Sequence, residues 1–356
     1  YKCDTLVHDR LPSGLYVALP VCIQPWQPTD CKQVSRSFHF VYDFYRPLLS
    51  LKRHHEHNRT HKNRSLVVIS RYILAGTLEC RGDCLMTESE LIQSTPEPRT
   101  RASLSADLRS LGLEAGMLVI VHSSMKSIGW VNGGPIAVIQ ALQDVVTPDG
   151  TLVMPAHSSG LSDPAKWDSP PIPEDWWETV RSTMPAYDPQ RTPTGGVGRI
   201  PELFRTWPDV LRSAHPTHSF AAWGQLADEI TRDHPLSFGL GPGSPLDNIY
   251  MHDGCVLLLG AGYDSNTSFH LAEYRLDWMP HITQGAPIFN NGKKVWQSYN
   301  DVDVNSDDFA DLGEAFDAEY QVKIGKVGSA ETRFFSQRAA VDFAEEWLQS
   351  HRARPR

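Results

Sequence analysis

The chain lacks any apolar run of about 18 residues, the length that crosses a bilayer, and its opening stretch has no charged segment followed by an apolar core. Neither a membrane span nor a signal peptide is expected. Also missing are a G-x-x-x-x-G-K-S/T loop, a G-x-G-x-x-G turn and a G-x-S-x-G elbow, which disfavours ATP, a dinucleotide and an ordinary serine hydrolase. Cysteine is scarce in the main body: five of the six (Cys3, Cys22, Cys31, Cys80, Cys84) fall in the first 84 residues, and only Cys255 follows, inside an apolar run. The body therefore reads as a reduced, cytoplasmic protein. Cys80 and Cys84 have no second pair at zinc spacing, so no metal is expected. Excess positive charge is absent from the main body too. Residues 1–84 hold 12 Lys and Arg against 7 Asp and Glu, while the remainder holds 21 against 35, a net −14. Such a body disfavours nucleic acid and favours a cationic partner or none.

With 356 residues the chain can hold one large domain or two ordinary ones. Residues 1–95 show weak periodicity, with a basic, His-rich patch at 51–65 and one apolar stretch at 66–74. They are expected to be a poorly structured N-terminal extension, the patch a solvated charge run. The first residue is Tyr1, and Met86 stands as an alternative start. From residue 96 to 356 the rhythm is that of a layered α/β domain: a helix at 101–111, a strand at 117–122, a helix at 135–147, a Pro148-Asp149-Gly150 turn and a strand at 151–156.

Two segments carry chemistry. Residues 255–273 read CVLLLGAGYDSNTSFHLAE, an unbroken apolar strand that opens into a polar loop and then a helix. Loops leaving the carboxyl ends of such strands are where open α/β sheets place their sites. Asp264, Asn266 and Thr267 are candidate caps, and His270 and Glu273, three apart, share a helix face. His270 is equally readable here as a satisfied core histidine. Residues 116–142 repeat the pattern: a strand, then a loop with Ser123, Ser124, Ser127, Gly129, Gly133 and Gly134, then a helix with Pro135 in its first turn. Free N–H groups at such a helix start suit a phosphate or an amide-rich chain.

Residues 158–198 form a long loop rich in Pro, Trp, Ser and Asp, with a short helix near 174–181, ending in a helix start at 194–198 that carries Glu202 and Arg205. His215 and His218 precede a short strand; without a third ligand they read as hydrogen-bonding or substrate-lining residues. Ser244 caps a helix with Pro245 in its first turn, and residues 284–308 form a hairpin turning at Asn291-Gly292. Alternation there puts Tyr299, Asp301 and Asp303 on one face. A helix over 339–351 closes the domain.

Taken together, VHSSMKSIGWVNGG, GTLVMPAHS, TGGVGRIPELFR, RSAHPTHSFAAWG, HPLSFGLGPGSPL and VLLLGAGYDSNTSFHLAE, in this order over about residues 98–350, resemble the aminoglycoside 3-N-acetyltransferase family. The resemblance implies a three-layer α/β/α fold with a mixed central sheet, and acetyl transfer from acetyl-CoA to the 3-amino group of a deoxystreptamine ring. It implies that His122, Ser123, Ser124, Ser127, Gly129, Gly133 and Gly134, helped by Thr194, Gly195, Gly198 and Arg199, hold the CoA arm. His270 matches the catalytic histidine, and Asp301 and Asp303 match an acidic strand facing a polycationic sugar, with Tyr299 and His218 beside them. On chemical grounds an ammonium must lose a proton before it attacks a thioester, which suits an imidazole oriented by Glu273 or Asp264. Backbone N–H groups near Ser123 and Ser124 would stabilise the oxyanion. Two alternatives stay open: hydrolysis by Ser123 or Ser124 with His270, and CoA binding without turnover.

Overall fold

The computed structural model describes residues 87–352; the basic patch, five of the cysteines and Met86 lie outside the described residues. Helix α1 (Glu88–Ser94), closed by a capping box at Thr87, falls in the stretch expected to be an extension. It is joined to the body through Thr95, whose Oγ1 accepts from the Trp130 N–H at 2.9 Å.

The order continues α2 (Arg101–Leu111), β1 (Leu118–Ser123), α3 (Gly134–Val146), β2 (Thr151–Pro155), α4 (Trp177–Thr183), α5 (Arg199–Phe204), β3 (Leu211–Arg212), β4 (Phe220–Gly224), α6 (Ala227–Thr231), α7 (Pro245–Met251), β5 (Cys255–Leu259), α8 (Ser268–Glu273), β6 (His281–Asn290), β7 (Lys293–Val302), α9 (Phe309–Glu319), β8 (Lys323–Val327), β9 (Ala330–Ser336) and α10 (Gln337–His351). Seven strands form one sheet in the order β3-β4-β2-β1-β5-β9-β8, while β6 and β7 pair apart from it. β1 runs parallel to both β2 and β5, and every other ladder is antiparallel. The sheet is therefore mixed, as expected.

Period-two alternation explains the layers. Val119, Val121, Leu152, Met154, Leu257 and Leu259 face one core with α2, α3 and α5. Ile120, Val153, Val256 and Leu258 face the other, with α6 to α10. Both faces of β1, β2 and β5 are covered, which is why those strands read as unbroken apolar runs.

Local signals hold where chemistry enforces them. α2 stops at Gly112 in the left-handed region, and the hairpin turns on Asn291 and Gly292 with φ of +49° and +74°, the conformation a type I′ turn demands. α8 has only six residues, too few to stand alone. It persists because Phe269, Leu271 and Ala272 are fully buried, Phe269 edge-on to Phe309 at 5.3 Å. Burying the first two side chains contributes about 2 kcal/mol each.

Candidate active site

β2, β1 and β5 are neighbours with parallel directions, so their carboxyl ends at Pro155, Ser123 and Leu259 open on one side of the sheet. A cavity of about 490 Å³ lies there, walled by His122 and Ser123 at the end of β1 with Ser124 and Lys126 after it, Pro155 at the end of β2 with His157 after it, Gly196 to Gly198 before α5 with Arg199 at its start, and Asp264, Ser265 and Thr267 after β5.

One wall is a preset loop. Glu202 Oε2 accepts from both the N–H and the hydroxyl of Thr194 at 2.8 Å, and Arg205 grips the same carboxylate at 2.5 and 2.8 Å. The guanidinium hydrogen bonds, with those from Thr194, hold the Glu202 carboxyl down at about 2. The loop is tied from behind by Arg212, which donates to Thr192 O, Ala156 O and Ser158 Oγ. Gly195 N–H donates to His157 O at 2.8 Å, linking this loop to the β2 wall. Gly198 then turns into α5 with φ +89° and ψ 178°, a conformation open essentially to glycine alone.

The catalytic candidates sit behind Thr267. His270 Nδ1 lies 2.5 Å from Glu273 Oε2, and the other oxygen of Glu273 accepts from Asn305 N–H at 2.9 Å and from Arg352 Nη1 at 2.5 Å. Glu273 is fully buried and wholly partnered. Since a carboxylate only accepts, Nδ1 carries the hydrogen and the lone pair of the ring is on Nε2. Among the described residues nothing bonds Nε2.

Other histidines crowd the same region, and burial keeps them neutral. His122 is pushed down to about 3, first by burial and then by the neighbouring His270; its Nε2 faces Thr267 Oγ1 at 3.5 Å. His157 and His218 are lowered for the same leading reason, with His270 contributing to each. His215 accepts from the N–H groups of Thr217 and His218 and stacks on His218 at 5.2 Å.

The structure does not gather every expected residue. Asp264 is exposed on the cavity wall and has no bond to His270, which leaves Glu273 as the group that orients the ring. Ser127 donates to Ser124 Oγ at 2.9 Å, a support and not a wall. Gly129 packs against Ser329 and Thr95, while Gly133 and Gly134 open α3. Ser124 N–H is spent on Leu259 O at 3.0 Å, because the β1–β5 ladder continues one residue past the strand, so it cannot meet an oxyanion. Asp301 is buried, takes a hydrogen bond from Tyr274 Oη, and keeps Oδ2 without a partner 3.8 Å from His218 Nδ1. Asp303 is exposed, because β7 ends at Val302 and alternation ends with it. Tyr299 is buried against Thr217 and edge-on to His215, its hydroxyl pushed up to about 12 chiefly by burial.

Lys126 and His157 were not anticipated, and Thr267 was expected only as a candidate helix cap, a bond its side chain does not make although it stands at the N-cap position. His157 had a signal, its place just past the end of β2. Lys126 had only its place in the β1 loop, and the role of Thr267 depends on β5 lying beside β1.

The family model for aminoglycoside 3-N-acetyltransferase matches residues 120–349. The chain belongs to the aminoglycoside 3-N-acetyltransferase family. A relative in that family, the SPbeta prophage-derived aminoglycoside N(3')-acetyltransferase-like protein YokD of Bacillus subtilis (strain 168), is 54% identical over 260 residues, covering 73% of this chain and 96% of YokD. The solved AAC-IIIb binary with CoASH shares 33% identity, spans 73% of this chain and 100% of its own, and superposes with a TM-score of 0.65. AAC-VIa bound to sisomicin shares 31%, with 72% and 100% covered and a TM-score of 0.66. Among the described residues no group of His, Cys, Asp or Glu is arranged to hold a metal, and no helix is long and apolar enough to cross a membrane.

Proposed function

We propose that this chain moves the acetyl group of acetyl-CoA to the 3-amino group of an aminoglycoside by direct attack, with His270 as the base. The observation that carries this is the 2.5 Å contact between His270 Nδ1 and the buried carboxylate of Glu273, one helical turn from Thr267 on the cavity wall. Lys126 and Arg199 supply cations for the phosphates, and the 195–198 loop supplies backbone for the pantetheine amides.

The substrate ammonium loses one proton to solvent, and Nε2 of His270 takes a second as the nitrogen bonds to the thioester carbonyl carbon. The oxyanion collapses, the C–S bond breaks, and the imidazolium returns its proton to the leaving thiolate. Glu273 holds the ring in one tautomer and balances the charge that appears on it. For the oxyanion, the backbone N–H groups of Met125 and Lys126 replace that of Ser124: both residues line the cavity and neither N–H is bonded within the described protein.

Asp301 Oδ2 and His218 Nδ1 form a second, desolvated acceptor pair suited to another ammonium of a polyamine substrate. The net −14 of residues 85–356 steers such a cation inward. A hydrolase reading is not favoured, since Ser123 Oγ has no partner and Ser124 Oγ is bonded to Ser127 and not to His270. The test is a thiol-release assay with acetyl-CoA and a panel of amines that includes sisomicin, with CoA binding measured in parallel. His270→Ala is expected to abolish release, a loss of at least about 100-fold, with CoA binding kept; equal rates in the two proteins would remove His270 from the chemistry.

A further inference from the structure

Arg352 lies 79 residues from Glu273 in sequence, just past the last turn of α10, yet it is the only cation bonded to that buried carboxylate among the described residues. Its Nη1 donates to Glu273 Oε1 at 2.5 Å, while Nε and Nη2 grip Asp308 at 2.7 and 2.5 Å and Nη2 also reaches Asn305 O at 2.6 Å. Asn305 N–H returns a bond to the same Glu273 oxygen at 2.9 Å. One guanidinium thus closes a ring through α8, the segment before α9 and the end of α10, and it does so at a side chain only 15% exposed.

Such a contact does more than fasten three segments. A carboxylate with no exposed surface that lost its only cation would leave a negative charge uncompensated in a poorly polarisable interior. The one nearby site that can answer it with a proton is the imidazole on its other oxygen. The groups facing this pair are His270 itself, Tyr274 on the same helix, Arg352 and Asp308 from the neighbouring segments, and the neutral rings of His122, His157 and His218 across the site. None of the others carries a positive charge that could replace the guanidinium.

We infer that Arg352 is a positioning residue of the catalytic dyad: its charge keeps the Glu273–His270 pair from retaining a proton at the pH of turnover, and its fork fixes the carboxylate so that the imidazole presents Nε2. This extends the proposed role of His270 as base. The fork matters because two carboxylates are served at once, which an ammonium does less well.

The test reads the proton directly. Imidazole resonances of the full chain are followed against pH by NMR, with the His270 signal assigned by its loss in His270→Ala, and kcat/KM for acetyl-CoA with sisomicin is measured in parallel. In Arg352→Met the midpoint of the dyad is expected to rise by about one pH unit, the acid limb of kcat/KM to rise with it, and kcat to fall about 10- to 100-fold. The KM for acetyl-CoA should stay within about twofold. Arg352→Gln, which keeps a donor without charge, should shift in the same direction and decides the matter if the Met variant does not fold. Arg352→Lys should hold the midpoint. Asp308→Asn, which loosens the clip but keeps the cation on Glu273, should lower Tm without moving the midpoint. An unmoved midpoint in the uncharged variants, or an equal shift in Asp308→Asn, would overturn the inference and leave Arg352 a structural clip. Because the titration needs no turnover, it judges Arg352 even if His270→Ala stays active and the assignment of His270 as base fails.

Discussion

Lowering the pH from 8 to 5 should cost the folded chain about 4 kcal/mol through two histidines alone. His122 is 5% exposed and is pushed down to about 3, mainly by burial and then by His270. His234 is also pushed down to about 3; burial outweighs the raising effect of its bond to Gly239 O, and His218 adds to the lowering. A folded value below the unfolded one of about 6.5 means that the unfolded chain binds the extra protons. Stability is thus complete above about pH 6.5 and is lost progressively as pH falls from there toward about 3. At pH 5 each ring has lost about 2 kcal/mol, from RT times the logarithm of the ratio of the two binding polynomials. Against a typical total of about 5–15 kcal/mol the sum is large. His157, His215 and His218 are lowered by burial as well and act in the same sense. Most carboxylates are still ionised at pH 5, so the loss belongs to imidazoles. Urea unfolding at pH 8, 6.5, 5.5 and 5 checks it: with a slope of about 3 kcal/mol per molar, the midpoint should drop by about 1 M or more between the extremes. Equal midpoints at pH 8 and 5 would refute the reasoning and mean that these rings are charged or hydrated in the native fold.

Two further outcomes concern the 195–198 loop proposed to hold the CoA arm. Gly198→Ala forces a side chain into backbone that glycine alone tolerates, at a cost of about 1–3 kcal/mol; the KM for acetyl-CoA should rise about tenfold, and an unchanged KM would show that the loop does not carry the cofactor arm. Glu202→Gln should raise the same KM about threefold while shifting stability by less than about 1 kcal/mol, because the Arg205 pair is partly solvated; steady-state kinetics with acetyl-CoA checks the first part and urea unfolding the second.

The parts of the fold legible in sequence were those where one local force dominates. Runs such as LVIVHS and CVLLL read as strands because both faces are covered, and Gly112 and Asn291-Gly292 announced turns because their backbone conformations demand those residues. β8 and β9 were not anticipated: KIGKV is an exposed edge, and AETRFFS mixes charge with apolar residues, so neither shows the buried-strand signature. In the site, His270 and Glu273 were readable from spacing on one helix. The fate of Ser124 N–H, the partnership of Arg352 with Glu273 and the separation of Asp303 from Asp301 all depend on which strands adjoin or where a strand stops. Those are properties of the assembled chain, and no single window of sequence contains them.

The central claim is that one oriented imidazole stands beside the thioester carbon. A structure of the full chain with CoA and sisomicin tests it most directly. One hydrogen bond, one attack distance and the C–S bond together place the CoA sulfur no more than about 8 Å from His270 Nε2, with an amine nitrogen between them. A sulfur well beyond that reach, or an Nε2 bonded to the protein once the ligands are in place, would contradict the account.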